Sequence, residues 1–254
     1  MSDEVMVDVA DGIMTVTLNR PEAKNAANKA LAEGVAAAMD QLDGSDDIRV
    51  AIITGAGGTF CSGMDLKAFV SGETPHIEGK GFGGLTESPP KKPLIAAVEG
   101  YALAGGLELM ISCDLIVAAD NAKFGIPEVK RGLAAAAGGL VRLPRQVPPR
   151  LAMELALTGD FIDATRAAEM GLINRVVPAG TALDAAKELA ATICANGPLA
   201  VKISKQVVAE SADWSSEDMW EKQQALVMPI FTSHDAIEGA TAFAEKRAPN
   251  WTGK

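Results

Sequence analysis

Glu108 lies one turn into the segment Gly105-Gly106-Leu107-Glu108-Leu109-Met110-Ile111, where two glycines precede an apolar run. Glycines that open a helix leave backbone N–H groups accessible and turn the positive end of the dipole outward, which suits a developing oxyanion. The apolar flanks leave little room for a solvated helix face. Glu108 and Ser112 nevertheless share a stripe with Gly105, so an ordinary surface glutamate stays open as a reading. A second carboxylate, Glu128, follows Phe124-Gly125-Ile126-Pro127, just beyond the strand opened by Cys113-Asp114-Leu115-Ile116-Val117. A strand running back from the end of the Glu108 helix would bring both acids to one cleft. Two carboxylates bracketing one water suffice for acid–base work, because one accepts a proton while the other, with its pKa raised, donates. The alternative for Glu128 is an exposed turn position.

The third element is Phe60-Cys61-Ser62-Gly63-Met64-Asp65-Leu66-Lys67, a loop of small residues leading into a helix whose free N–H groups offer a second donor. Cys61 invites a nucleophile reading, but neither His76 nor His234 is positioned by sequence to activate it, and a small buried thiol is the better account. Gly55-Ala56-Gly57-Gly58-Thr59-Phe60 follows an apolar strand yet fails as a dinucleotide fingerprint. Its sixth position is phenylalanine, where glycine or alanine lets helix and strand close up. There is no Walker loop, no zinc-protease helix and no thiolate pair for a metal.

The elements that must position these residues read as an α/β chain up to about residue 145. Val5 to Val9 and Ile13 to Leu18 alternate around Asp11-Gly12, predicting a β-hairpin. Asn28 to Leu42 carries helical periodicity, and the continuous apolar runs 50–54, 94–98 and 115–119 read as strands covered on both faces. Ser71 to Lys92, with five glycines and three prolines, reads as a mobile loop or irregular helix. Beyond Pro148 helical periodicity dominates, in 151–157, 164–170, 181–195, 199–211, 215–228 and 235–246, with one strand at 173–177.

Composition sets the outer bounds. The chain has 254 residues, 48% hydrophobic and 22% charged, as in folded globular proteins. Its net charge of −10 repels nucleic acid and anionic membrane surfaces, so a polyanionic ligand must be met by local donors. Three cysteines without a pairing pattern suit a reducing compartment. The acidic opening Met1-Ser2-Asp3-Glu4 differs from a signal peptide, and no apolar run approaches the roughly 18 residues needed to span a bilayer. A cytoplasmic protein is expected, binding neither nucleic acid nor membrane.

Taken in order, several segments resemble the crotonase family, the enoyl-CoA hydratases and isomerases. They are Thr17-Leu18-Asn19-Arg20-Pro21 with Lys24-Asn25-Ala26, Phe60 to Leu66, and Ala96-Ala97-Val98-Glu99-Gly100-Tyr101-Ala102-Leu103-Ala104-Gly105-Gly106-Leu107-Glu108-Leu109. The series continues through Cys113-Asp114, Phe124 to Glu128 and Gly138-Gly139 to Phe243-Ala244-Glu245-Lys246-Arg247, so it covers essentially the whole chain.

The resemblance implies an α/β fold, a crotonase-like spiral of β-β-α repeats over 1–195 followed by a helical C-terminal region, 196–254, that builds trimers or dimers of trimers. It also implies an oxyanion hole on the backbone of Met64 and Gly105, and catalytic glutamates at Glu108 and Glu128. Coenzyme A contacts are implied at Lys24, Ala26, Ser62, Asp65, Leu66 and Lys67, with Lys246 reaching a neighbouring subunit's phosphates. The implied reaction is hydration of a 2-enoyl-CoA without metal or redox cofactor. A Δ3,Δ2-enoyl-CoA isomerase and a non-catalytic acyl-CoA binding protein are the competing readings. The family's frequent Pro-Gly-Ala-Gly-Gly turn is replaced by Ala134 to Gly139, and Arg142 to Pro149 resembles the carnitinyl-CoA dehydratase branch, which opens that activity too.

Overall fold

The computed structural model describes residues 3–254. Strands β1 (Val5–Ala10) and β2 (Ile13–Leu18) form the expected antiparallel hairpin. Helix α1 (Lys29–Gly44) starts at Asn28, whose side-chain oxygen accepts the Leu31 N–H at 3.0 Å, and buries the stripe Leu31, Val35, Ala38, Met39 and Leu42. Then follow β3 (Val50–Gly55), α2 (Leu66–Val70), β4 (His76–Ile77), β5 (Gly81–Phe82), β6 (Leu94–Val98), β7 (Tyr101–Leu103) and α3 (Gly105–Met110). Next come β8 (Leu115–Ala119), β9 (Lys123–Gly125), a 3-10 turn at Pro127–Arg131, α4 (Gly139–Gln146), α5 (Pro149–Thr158), β10 (Ile162–Asp163), α6 (Ala164–Glu169) and β11 (Arg175–Val177). The chain ends in α7 (Ala182–Cys194), α8 (Pro198–Ser211), α9 (Met219–Val227) and α10 (His234–Glu245).

The main sheet runs β1-β2-β3-β6-β8-β11, parallel from β2 onward. Its middle strands are covered on both faces, as their unbroken apolar runs require. Val50, Ile52, Ile95 and Val117 meet Ala186 and Ala190 of α7, while Ala51, Ile53, Ala96 and Ala118 join the larger core with α1 and α3. A second small sheet, β10-β9-β7, pairs β7 and β9 in parallel, with Leu103 opposite Gly125. These three-residue strands are too short to show any period, and the sequence reading ran directly from β8 to Glu128 without them.

The segment 71–92 departs from expectation. It holds a two-stranded hairpin, β4 with β5, and tucks Leu85 fully into the core. Its glycines serve close packing: a Cβ on Gly84 would stand 2.1 Å from the Ala32 carbonyl oxygen, and one on Gly83 would stand 2.7 Å from Leu109. Glycine here removes a side chain where backbones meet, which from composition alone looks the same as a mobile loop.

The last helices are thinly packed. Helices α8 and α9 bury no residue fully and α10 buries only Asp235 and Ala242, leaving Trp220, Phe231, Ile237 and Phe243 exposed. Asp235 ties the chain end back, accepting the N–H groups of Thr252 and Gly253 at 2.7 and 2.8 Å. No helix among the described residues is long and apolar enough to cross a membrane.

Candidate active site

Strands β7 and β9 lie side by side, β7 leading into α3 with Glu108 and β9 into the 3-10 turn with Glu128, which brings the two acids together from a sequence separation of twenty. Glu108 is 3% exposed and its Oε1 accepts two backbone N–H groups, from Ala137 at 2.7 Å and Gly139 at 2.8 Å. Burial raises its pKa above the ordinary carboxylate value, with the two N–H donors and the nearby Arg142 charge opposing. Glu128 is half-buried, and its Oε2 is buried with no hydrogen-bond partner. Burial pushes its pKa up, and the Glu108 charge pushes the same way. The environments differ in kind: Glu108 sits in a cradle of donors, whereas Glu128 has a buried oxygen with none. Unlike environments of this kind are what set two carboxyl groups to opposite proton-transfer roles.

The helix carrying Glu108 begins in a strained conformation. Ala104, its N-cap, has φ 52° and ψ −128°, and its N–H donates to the Gly125 carbonyl at 2.9 Å, which ties β7 to β9 at the corner. Close by, Gly63 has φ 109°, and a Cβ there would lie 2.9 Å from the Ala104 Cβ and 3.5 Å from the Gly105 nitrogen. The 61–64 turn is thus pressed against the start of α3, bringing Met64 and Gly105 together. Among the described residues, neither the Met64 nor the Gly105 N–H donates to any acceptor, so two donors stand free at one corner. The Phe82 ring covers Gly105, where a Cβ would meet it at 2.3 Å.

The segments at Lys24 and Ser62 also come together. Ser62 donates its N–H to the Lys24 carbonyl at 3.1 Å, Ala27 donates to Gly63, and Asp65 donates to Ala27. Lys24 has φ 51° and holds its ammonium 5.4 Å from the centroid of the Tyr101 ring. Ala26 is buried, whereas Leu66 and Lys67 are exposed. The Asp65 carboxylate is used within the chain: it caps α2 through the N–H groups of Lys67 and Ala68 and pairs with Arg20 at 2.9 Å. Arg20 was not singled out from sequence as a site residue, although it lies in a quoted motif. It also donates to the Ala26 carbonyl, so one guanidinium joins both segments. Lys246 stands apart, exposed at the C-cap of α10, and its ammonium has no partner among the described residues.

The Cys61 thiol is fully buried and pushed up to about 11 by burial, as expected of a packed thiol. Among the described residues, no group of three or more His, Cys, Asp and Glu side chains is placed to hold a metal ion. A cleft of about 580 Å³ abuts the turn that holds Glu108, lined in part by Thr86, Glu87, Ala137, Gly138, Val141 and Arg142. A larger one, about 1150 Å³, opens between the β1–β2 turn, α7 and the last residues, and neither acid lines either cleft.

Residues 8–254 match the family described as enoyl-CoA hydratase/isomerase. The chain is 43% identical to enoyl-CoA hydratase EchA19 of Mycobacterium tuberculosis, with 99% of this chain and 97% of that protein aligned. It is 38% identical to a carnitinyl-CoA dehydratase of Proteus mirabilis over the full length of both. Among solved structures, an enoyl-CoA hydratase from Mycobacterium tuberculosis superposes with a TM-score of 0.98 at 59% identity and complete coverage of both chains.

Proposed function

Since the chain belongs to the enoyl-CoA hydratase/isomerase family, we propose that it adds water reversibly across the 2,3 double bond of a 2-enoyl-CoA to give the 3-hydroxyacyl-CoA. The observation that carries this reading is the pairing of two free N–H groups at one corner with two unlike carboxyl groups, one buried and one half-buried, just beyond adjacent strand ends. The thioester oxygen would take the Met64 and Gly105 N–H groups, which draw electron density from the double bond and stabilise the negative charge as it develops. Glu108 is the carboxylate that takes a proton from water as the water oxygen bonds to the β-carbon. Glu128, whose hold on its proton is strengthened by burial and by the neighbouring charge, would deliver that proton to the α-carbon as the enolate collapses. The water supplies the hydroxyl, the proton taken by Glu108 must pass to Glu128 before the next turnover, and no step calls on a metal or redox cofactor.

An isomerase needs a shuttle between two carbons only and leaves one acid idle; a silent binder has no use for two charges beside an acyl chain. The 38% identity to the Proteus mirabilis protein, together with the Arg142 to Pro149 segment, adds carnitinyl-CoA dehydration as a second activity. Lys24, Ala26, Ser62, Asp65, Leu66 and Lys67 form the ledge for the nucleotide and pantetheine of coenzyme A. The carboxylate of Asp65 shapes this ledge from inside. Residues 1–195 form the catalytic core and 196–254 the assembly region, where the exposed Trp220, Phe231 and Phe243 fit burial in a trimer or dimer of trimers. There Lys246 would meet phosphates bound to a neighbour. We place the enzyme in the cytoplasm, in fatty acid β-oxidation.

The test is a spectrophotometric screen of 2-enoyl-CoA thioesters of increasing length, with crotonobetainyl-CoA included, following loss of the conjugated absorbance. Absence of turnover on every thioester would overturn the hydratase reading. Light scattering at micromolar protein tests the trimer, and a monomer mass would exclude it.

A further inference from the structure

Arg142, on the first turn of α4, is a charged group acting on Glu108 that the reaction scheme leaves unused. We propose that Arg142 is a positioning residue: its guanidinium clamps the 137–139 turn to the buried loop at Thr86 and so holds Glu108 in place as the carboxylate of the pair.

Glu108 is held by two amides of a turn whose own shape needs support. At its centre Gly138 has φ 107°, and a Cβ there would stand 2.2 Å from Arg142 Nη1. The guanidinium therefore occupies the space a side chain on that turn would fill. Its other nitrogen, Nη2, donates to the Thr86 carbonyl at 2.5 Å. Thr86 is 1% exposed and belongs to the loop that follows β5, the strand whose Phe82 covers Gly105. One planar fork thus links the turn that grips Glu108 to the loop beside the free Gly105 N–H. A lysine reaches one of these places but not both.

Charge adds to geometry. No carboxylate lies within ion-pair distance of Arg142 among the described residues. Its half-buried charge acts on Glu108 and is in turn influenced by Glu87. The groups facing Glu108 are Arg142 from α4, Glu128 from the 3-10 turn, and the backbone N–H groups of Ala137 and Gly139. Arg142 is the one cation among them.

The inference rests on the proposed hydratase chemistry, and its test is arranged so that the two can fail separately. Arg142→Met and Arg142→Lys are measured for kcat, KM and pH dependence on a short 2-enoyl-CoA, in the parent and in the Glu108→Gln background. Arg142→Met is expected to lower kcat about tenfold or more with little change in KM, and to move the acid limb of the pH profile upward. Arg142→Lys should return the limb toward its parental position while kcat stays low, because the charge is restored without the reach to both the Gly138 turn and the Thr86 carbonyl. In the Glu108→Gln background Arg142→Met should cost nothing further. Equal losses in both backgrounds, or a change confined to KM, would overturn the proposal. A carbon-detected NMR titration of Glu108 reports the same link without turnover: an unshifted midpoint in Arg142→Met also overturns it. Should the parent enzyme hydrate no thioester, the functional reading falls while the titration still decides the role of Arg142. If Arg142→Met fails to fold, Arg142→Lys carries the kcat comparison and Arg142→Gln the titration.

Discussion

Glu108 and Gly139 are fitted to each other at the limit of contact: Oε1 accepts the Gly139 N–H at 2.8 Å, and a Cβ on Gly139 would stand 3.0 Å from that same oxygen. Gly139 does not have a positive φ, so alanine meets no backbone strain there; its Cβ would press on the carboxylate and, at 3.2 Å, on Glu108 Cγ and the Ala135 Cβ. Gly139→Ala should therefore fold normally and lower kcat by about 10–100-fold, since small misplacements of a reacting group are costly. A thermal melt and a kcat measurement on the same sample check both halves.

Replacement of either acid by its amide keeps shape and removes proton transfer. Glu108→Gln and Glu128→Gln should each lower hydration by roughly 10²–10⁴-fold. The double variant should be little worse than the poorer single one, because the two act as a unit. Full activity in either single variant would refute the two-carboxylate mechanism.

The pH dependence follows from both acids being raised. Hydration needs Glu108 ionised and Glu128 protonated, so kcat/KM should fall on the acid side as Glu108 gains its proton and on the basic side as Glu128 loses its own. Stability follows a related rule with its own sign. Glu128 holds its proton more tightly folded than unfolded, so the folded form loses stability as pH rises from the unfolded value through the folded one. Glu128→Gln removes that penalty and should melt higher than the parent at about pH 8, with the gap closing toward about pH 5. An equal offset at both pH values would contradict the assignment.

The corner formed by Gly63 and Ala104 allows a test in two directions. Gly63→Ala places a methyl 2.9 Å from the Ala104 Cβ at φ 109°, and should lower both the melting temperature and kcat. Ala104→Gly relieves a backbone conformation that costs a non-glycine residue on the order of 1–3 kcal/mol, and should raise the melting temperature. Melting curves for the two variants, with the sign of each shift, decide the matter.

The elements legible in the sequence were those long enough to carry a period. The hairpin of β1 and β2, the doubly covered strands β3, β6 and β8, and the helices from α5 onward all lie within a few residues of where their patterns place them. The free donors and the two acids were legible as well, because Gly105-Gly106 and the quoted motifs mark them. What brings the acids together was not legible. Strands β7 and β9 pair through backbone groups over three residues, and such pairing leaves no trace in side-chain type. Likewise, Glu108 is gripped by the amides of Ala137 and Gly139 in an alanine-rich run with no polar side chain to announce it. The Arg20–Asp65 pair spans forty-five positions and belongs to the same class of long-range contact.

The β7–β9 ladder has a consequence for how such a chain can change in length. Glu108 lies five residues beyond Leu103 and Glu128 three beyond Gly125, and Leu103 and Gly125 are paired across the ladder. The spacing of the acids is therefore set by two short offsets from one rung, whatever the length of the path that joins them. An insertion at the Asp120–Asn121 turn can bulge outward and leave the rung in register. A single residue gained or lost between Gly125 and Glu128 slides one acid past the other. In this chain the path between the acids tolerates added length, and the two approaches to them do not.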